Sequence, residues 1–225
     1  MSVKGGPDIV TDGLALHLDA GNSKSYPGSG TSWYDLSGNN KHFSWSSTPP
    51  HNSIGVPYFS TNGRTCSGPA SNSFGINNTS GYTIITVCIL NSIANYTTFN
   101  FYGSGTYSRG IFAHLSWGNQ NVYFDQGGCC ASSQRINAAF SNLTTKWFFT
   151  IFRRKGNERR LYQNLTSRAS TTVGAANINL TSTGARVVDT TSWNAKLSMF
   201  SVYNRGLEDY EIEDFYNAFK GRFGL

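Results

Sequence analysis

The sequence predicts an all-β protein, a two-sheet antiparallel sandwich with one short helix at its C-terminal end. Of the 225 residues, 24 are Gly and 13% are charged, which suits short strands joined by turns. Aromatic residues make up 14% of the chain and supply a core. About twelve strand signals are separated by turns, whereas one terminal segment has a helical pattern. All-β chains of this length are commonly single domains, so residues 13–225 are expected to form one domain after an N-terminal arm, residues 1–12.

The opening of this domain, residues 13–43, predicts a strand, a long irregular loop and a second strand. Leu14, Leu16 and Leu18 alternate with other residues, a period of two that places three leucines on one face of a half-buried strand. Glycine, proline and asparagine residues then mark turns in a loop that is too polar to be helical. The second strand is expected at residues 42–45.

Three later runs predict strands of the sandwich interior. Residues 82–90, YTIITVCIL, form a continuous β-branched run and predict a central strand covered on both faces. Residues 147–154, WFFTIFRR, are aromatic on both faces and lead into a hairpin whose return strand is residues 160–164. Residues 196–203, KLSMFSVY, change phase between Met199 and Phe200, which predicts a bulge or burial on both sides. Shorter strands are expected at residues 56–60, 95–102, 111–117, 122–124, 168–173 and 185–188.

The last segment of the chain carries the helical pattern. Leu207, Tyr210, Phe215 and Phe219 roughly follow a stripe with the period of an α-helix, and acidic residues fill the other face and the first turns. Gly221 is expected to end the helix.

Three segments carry a family resemblance: residues 13–43 (GLALHLDAGNSKSYPGSGTSWYDLSGNNKHF), residues 147–164 (WFFTIFRRKGNERRLYQN) and residues 196–225 (KLSMFSVYNRGLEDYEIEDFYNAFKGRFGL). In this order and spacing they resemble the concanavalin A-like lectin/glucanase jelly roll, in the laminin-G-like version found in many phage and other virus structural proteins. The resemblance implies a jelly-roll sandwich of two sheets with six or seven strands each, whose first and last strands are adjacent. It also implies a binding or structural module more often than an enzyme.

Catalytic residues are not evident in the sequence. Retaining glycosidases, the enzymatic branch of this fold, need two carboxyl groups about 5–5.5 Å apart across the sugar bond. The four glutamates are Glu158 at a hairpin tip and Glu208, Glu211 and Glu213 in the predicted helix, so no strand carries a pair. The four histidines are isolated from one another, and we expect no enzymatic activity.

A calcium site is the one cofactor that the sequence leaves open. Asp19, Asn22, Asp35 and Asn39 place hard oxygen ligands in the opening loop, and Ca²⁺ takes six to eight such oxygens. The alternative is that the two aspartates cap turns by accepting hydrogen bonds from backbone N–H groups.

A glycan site is predicted around one tryptophan. Sugar rings stack on aromatic faces while amides and hydroxyls orient them. Trp117 is followed by a polar turn that contains Asn119, Gln120 and Asn121, whereas the other tryptophans are expected mostly as core or loop anchors. The residues of this turn are therefore the candidate glycan-binding residues.

A basic hairpin is the main charged feature of a chain whose formal charge is +6. Its residues are Arg153, Arg154, Lys155, Arg159 and Arg160. We expect a solvated tip that protects the turn from edge pairing. The functional alternative is a contact with phosphate, in nucleic acid or lipopolysaccharide, or with an acidic neighbouring subunit. Of these partners, nucleic acid is not the expected one.

Cysteine usage and the N-terminal sequence bear on localisation. No apolar run has the length of a signal peptide or of a membrane span, so we expect folding in a host cytoplasm and no membrane partner. The four cysteines, of which Cys129 and Cys130 are adjacent, are expected to be free thiols. A bridge between Cys66 and Cys88, or a metal site, is the alternative.

Two functional hypotheses follow from these residues and from the resemblance. The first is a non-enzymatic virion structural protein, such as a capsid decoration, a minor capsid protein or a fibre- or tail-associated protein, that binds other virion proteins or itself. The terminal sequence NAFKGRFGL resembles the end of phage virion proteins. The second is a glycan- or receptor-binding, lectin-like module on the virion surface.

Overall fold

The computed structural model describes residues 9–104, 110–115 and 117–225. Within these ranges the chain forms two antiparallel sheets of eight strands each and one C-terminal helix. The predicted all-β sandwich with a terminal helix is confirmed, although each sheet has more strands than the six or seven expected. In chain order the elements are β1 (Leu14–Asp19), β2 (Ser32–Trp33), β3 (Phe43–Trp45), β4 (His51–Asn52), β5 (Tyr58–Ser60), β6 (Cys66–Ala70), β7 (Tyr82–Leu90), β8 (Phe99–Phe101), β9 (Ile111–His114), β10 (Asn121–Gln126), β11 (Arg135–Ala139), β12 (Phe148–Lys155), β13 (Glu158–Gln163), β14 (Thr166–Thr171), β15 (Gly184–Val188), β16 (Ala195–Tyr203) and α1 (Asp209–Phe223).

The first sheet has the strand order β14-β13-β12-β7-β16-β5-β4, and β1 also pairs with β16. The second sheet has the order β11-β10-β9-β8-β15-β6-β3-β2. In the first sheet, His17 of β1 stands opposite Ser201 of β16. The first strand and the last strand are therefore adjacent, as predicted. Residues 1–8 of the predicted arm lie outside the described residues; in the remainder, the Val10 carbonyl accepts a 3.0 Å hydrogen bond from the Tyr203 hydroxyl.

Aromatic rings fill the space between the two sheets. Phe124 of β10 stacks on Phe152 of β12, with ring centroids 4.3 Å apart. Phe99 of β8 meets Phe200 of β16 edge to face at 5.2 Å. Trp33, Trp45 and Trp193 are also buried in the core, as the sequence predicts for the tryptophans other than Trp117.

The central strands of the first sheet, β12, β7 and β16, are buried on both faces. Ile84 and Phe148 point to the core between the sheets, whereas Ile85 and Phe149 point to a second apolar cluster beneath α1. This arrangement confirms that β7 is covered on both faces. In β16 the register shifts between Leu197 and Met199, just before the predicted phase change at Met199 and Phe200, and the strand is buried on both sides.

The helix closes the outer face of the first sheet. It buries Ile212, Phe215, Phe219 and Phe223, whereas Tyr210, predicted to lie on the apolar stripe, is 64% exposed. Glu208 and Glu211 form a capping box that satisfies backbone N–H groups at the helix start. The predicted end at Gly221 is wrong, because the helix continues to Phe223. Gly224 then adopts a left-handed conformation with φ of 68°, which a glycine accommodates easily.

Candidate functional site

The two outer faces of the sandwich differ in what covers them. The first sheet is covered by α1, whereas α1 leaves the outer face of the second sheet uncovered. On that face Phe112 stands opposite Asp125, and His114 stands opposite Tyr123. β11 pairs with the other edge of β10, and there Arg135 stands opposite Asp125. We call the region around these five residues the open face.

Trp117 lies at one end of the open face, in the turn between β9 and β10. The turn is closed by a 2.7 Å hydrogen bond from the Gln120 N–H to the Trp117 carbonyl, and Gln120 has a positive φ of 63°. The half-buried Trp117 ring meets His114 edge to face at 4.8 Å and Tyr123 at 5.8 Å. These neighbours hold the indole ring while part of it stays exposed to solvent.

Amide groups surround the Tyr123 hydroxyl beside the tryptophan. The side-chain amides of Asn119 and Asn121 donate to this hydroxyl at 2.9 and 3.3 Å. These two hydrogen bonds lower the pKa of Tyr123 from its usual range. Asn119 also accepts a 3.0 Å hydrogen bond from the Asn121 backbone N–H. The structure therefore brings Trp117, Asn119 and Asn121 of the predicted glycan site together around Tyr123, whereas Gln120 forms part of the turn between them through its backbone.

An ion pair forms the floor of the open face. Arg135 donates to both carboxylate oxygens of Asp125 at 2.7 Å, and the Asp125 side chain is fully buried. The Arg135 guanidinium also lies 4.7 Å from the Tyr123 ring centroid, a cation–π contact. The Asp125 hydrogen bonds raise the pKa of Arg135. The charges of Arg135 and Asp125 thus cancel, and both oxygens of the Asp125 carboxylate are engaged by Arg135.

Sequence reasoning missed four members of this cluster: His114, Tyr123, Asp125 and Arg135. The His114 ring is held in place at Nδ1, which lies 3.1 Å from the Tyr96 carbonyl. Tyr123 could have been found, because it follows Asn121 by two positions on a strand and so shares its face. Arg135 could not, because its contact with Asp125 depends on the pairing of β10 with β11.

The predicted calcium ligands serve other partners. The Asp19 carboxylate accepts from the Gly21 N–H at 2.8 Å and from Arg222 at 2.6 Å. The Asp35 carboxylate accepts hydrogen bonds from the backbone N–H groups of His17, Ser37 and Lys41. The Asn22 side-chain oxygen accepts a hydrogen bond from the Lys24 N–H. The Asn39 side-chain amide donates to the Leu14 carbonyl. This is the turn-capping alternative. Among the described residues, no group of three or more His, Cys, Asp or Glu could hold a metal ion.

The basic hairpin is not a solvated tip, and that expectation is wrong for three of its five residues. Arg153, Arg154 and Arg159 are 5%, 3% and 1% exposed. Arg153 faces α1, whereas Arg154 and Arg159 point to the opposite face. Lys155 and Arg160 stay partly exposed but are paired. The ion pairs are Arg153–Glu158, Arg153–Asp209, Arg160–Glu158, Arg160–Asp209 and Lys155–Glu208.

The cysteines also differ from expectation. Cys129 and Cys130 form a disulfide in the loop between β10 and β11, so the prediction of four free thiols is wrong for this pair. Adjacent cysteines can bond to each other without any contact between distant parts of the chain. Their spacing in the sequence does not show whether the bond has formed. Cys66 and Cys88 are free and fully buried, and burial raises the pKa of both thiols. The alternative bridge between them is not formed.

Comparisons with known proteins extend these observations. No protein-family model matches the sequence, and no curated protein matches it significantly. In structure, the chain is similar to domain 4 of an extracellular arabinanase from Geobacillus stearothermophilus, solved in complex with arabinotriose. The TM-score is 0.67 and the identity is 15%, over 90% of this chain and 98% of that domain.

Two further solved structures that are similar to this chain belong to longer proteins. The binding domain of Paraclostridial Mosquitocidal Protein 1 matches with a TM-score of 0.69 and 14% identity, over 93% of this chain and 53% of that one. A Trypanosoma rangeli sialidase mutant that displays trans-sialidase activity matches with a TM-score of 0.63 and 15% identity, over 98% of this chain and 35% of that one. The chain thus spans about a third of the sialidase and half of the toxin domain. At these identities the likeness shows the fold, a lectin-like β-sandwich. Among the described residues, no helix is long and apolar enough to cross a membrane.

Proposed function

We propose that the protein is a non-catalytic carbohydrate-binding module whose site is the open face. The observation that carries this proposal is the partly exposed Trp117 ring, fixed by two neighbouring rings and bordered by the amides of Asn119 and Asn121. A sugar ring would stack on the indole while the amides and the Tyr123 hydroxyl exchange hydrogen bonds with its hydroxyl groups.

The charge of the site favours a neutral oligosaccharide. Arg135 is neutralised by Asp125, and farther along the sheet Arg186 lies 3.4 Å from Asp189. Neither cation is left to pair with a carboxylate of a ligand. The arabinanase domain of similar extent was solved with arabinotriose, a neutral trisaccharide, and the similar toxin structure is named a binding domain; both support binding rather than catalysis.

The same geometry supports the absence of hydrolysis. A retaining glycosidase needs two carboxyl groups that flank the sugar bond. Among Trp117 and the five residues that define the open face, Asp125 is the one carboxylate. It is fully buried and engaged by both donors of Arg135.

The test is binding to a glycan array, followed by calorimetry with the best ligand. Trp117→Ala should weaken binding about 30-fold, because the loss of a central aromatic contact typically costs about 2 kcal/mol. The matched control is Tyr210→Ala, which removes an exposed aromatic ring on α1, away from the second sheet. Equal binding by the wild type and Trp117→Ala would refute this site.

A position on a virion is a further part of the proposal. It is supported by the resemblance of the three sequence segments and of the terminal NAFKGRFGL to virion proteins. On this proposal the module sits on the virion surface, next to other virion proteins. Mass spectrometry of purified particles should find the chain at a fixed copy number; finding it only in the host lysate would refute the location and leave the binding proposal intact.

A further inference from the structure

Two buried arginines lie side by side in the first sheet. Arg154 of β12 stands directly opposite Arg159 of β13, so the two side chains share a face. They are 3% and 1% exposed. Among the described residues, no carboxylate forms an ion pair with either of them, in contrast to Arg153 on the other face. Buried charges are normally paired, because an isolated charge loses its hydration without compensation.

Arg154 is held by neutral groups. Its guanidinium donates to the Gly156 carbonyl at 3.0 Å, to the Ala176 carbonyl at 3.3 Å, and to both oxygens of Asn78 at 3.1 and 3.3 Å. These acceptors satisfy its N–H groups but supply no negative charge. Tyr82 stands opposite Arg154 on the next strand and is no counterion either: burial raises the pKa of its hydroxyl, which donates to Gln126 at 2.6 Å.

Within the described part of the chain, Arg159 lacks a counterion, and two of its three nitrogens also lack an acceptor. One of its nitrogens donates to the Ser132 carbonyl at 2.5 Å, but Nε and Nη1 are buried without any hydrogen-bond partner. Burial lowers the pKa of Arg159, and the neighbouring Arg154 charge lowers it further. An arginine nevertheless stays protonated in proteins, so it cannot escape this environment by losing its proton.

We propose that this arginine pair binds a small monovalent anion, of the size and charge of chloride, which accepts a hydrogen bond from Arg159. Such an ion would supply both the missing charge and a missing acceptor, whereas a water molecule supplies only the acceptor. The pair lies close to the surface, because Ser132 and Gly156, whose carbonyls accept hydrogen bonds from Arg159 and Arg154, are exposed loop residues. A larger anion is disfavoured because both side chains are almost fully buried, and a multivalent one because burial of charge becomes more costly as the charge increases.

The first test compares thermal unfolding in sodium chloride and in sodium methanesulfonate at one ionic strength. An ion that binds only the folded state stabilises it in a saturable way. At chloride concentrations 100-fold above the dissociation constant, the wild-type Tm should be higher by about 5–10 °C. Arg159→Gln should lose this dependence. The matched control is Arg160→Gln, the next residue on the same strand, which faces α1 and should keep it.

Equal chloride dependence in all three proteins, or none in the wild type, would overturn the proposal. The second test covers the case that Arg159→Gln does not fold. Wild-type crystals soaked in sodium bromide should show an anomalous peak within hydrogen-bond distance of Arg159 Nε or Nη1. Ordered water at both nitrogens, with bromide at surface positions only, would refute the anion site. Neither experiment depends on glycan binding, so its result is separate from that of the proposed function.

Discussion

Replacement of Arg135 by methionine tests the ion pair beneath the open face. The substitution keeps most of the apolar stem but removes both hydrogen bonds to Asp125, whose side chain is fully buried. Breaking a buried pair from one side costs about 3–5 kcal/mol, because the remaining charge is left uncompensated. His114 lies 3.6 Å from the same carboxylate, and the Arg135 side chain is 23% exposed, so water can enter. We therefore expect a loss near the lower limit, about 3 kcal/mol, or about 150-fold in the unfolding constant.

The assay is urea unfolding followed by tryptophan fluorescence, with a thermal melt as the second measure. Arg135→Met should lower the urea midpoint without a change in slope and lower Tm by about 6–12 °C. The double variant Asp125→Asn/Arg135→Met no longer buries a charge and should recover most of the loss. The coupling energy between the two positions should then be about 2 kcal/mol or more.

A more exposed pair of the same sheet is the control. Arg186 lies 3.4 Å from Asp189, and its side chain is 40% exposed, so Arg186→Met should cost less than about 1 kcal/mol. If Arg135→Met costs no more than this control, or if the double variant is as unstable as Arg135→Met alone, the buried pair does not have the role assigned to it.

Two further predictions concern the helix and the cysteines. The Arg205 hydrogen bonds lower the pKa of Glu211 from its ordinary value of 4.5, so the stability that this carboxylate contributes is present above pH 4.5 and is lost as the pH falls through its folded-state pKa. The unfolding free energy of Glu211→Gln should therefore fall less steeply below pH 4.5 than that of the wild type or of the exposed control Glu213→Gln; parallel acid profiles would contradict this. The native protein should show no reactive thiol before reduction and two after it, from Cys129 and Cys130, while Cys66 and Cys88 react only on unfolding; four reactive thiols in the unreduced native protein would contradict the disulfide.

The sequence predicted those parts of the fold that depend on local periodicity. The β-branched run of β7 and the double aromatic pattern of β12 indicated strands buried on both faces, and Ile84 and Ile85 do point to different apolar clusters. The prediction of a solvated basic hairpin was wrong because the burial of its arginines depends on contacts that are distant in sequence. A cluster of charges beside a Gly-Asn turn looks solvated, but Arg153 is buried by α1, which begins at Asp209, far along the chain. Such burial depends on tertiary packing and has no local signal.

The candidate site also contains residues that the local sequence predicts and one whose position depends on strand pairing. Trp117, Asn119 and Asn121 lie within five consecutive residues, so their proximity is a local property that a sequence pattern shows. Arg135 reaches the site through the register of β10 with β11, in which it stands opposite Asp125. The buried Ile136 determines which face Arg135 takes, but a shift of two residues would keep that face and change its partner, so the sequence of β11 alone does not pair Arg135 with Asp125.

The contacts across the open face bear on how strongly it can bind. Asp125 fixes Arg135, whose guanidinium lies on the Tyr123 ring, and Tyr123 in turn contacts Trp117. Immobilising a flexible side chain on binding costs about 0.5–1.5 kcal/mol. Arg135, Tyr123 and Trp117 are already held by these contacts in the folded protein, so a ligand need not immobilise them. A ligand would therefore meet a surface that is ordered before it arrives. It follows that Arg135→Met should weaken glycan binding even though Arg135 is neutralised and need not touch the sugar, because the Tyr123 ring loses its support. Calorimetry should show this loss mainly as a less favourable binding entropy; an unchanged entropy with a lost enthalpy would instead indicate direct contact between Arg135 and the ligand.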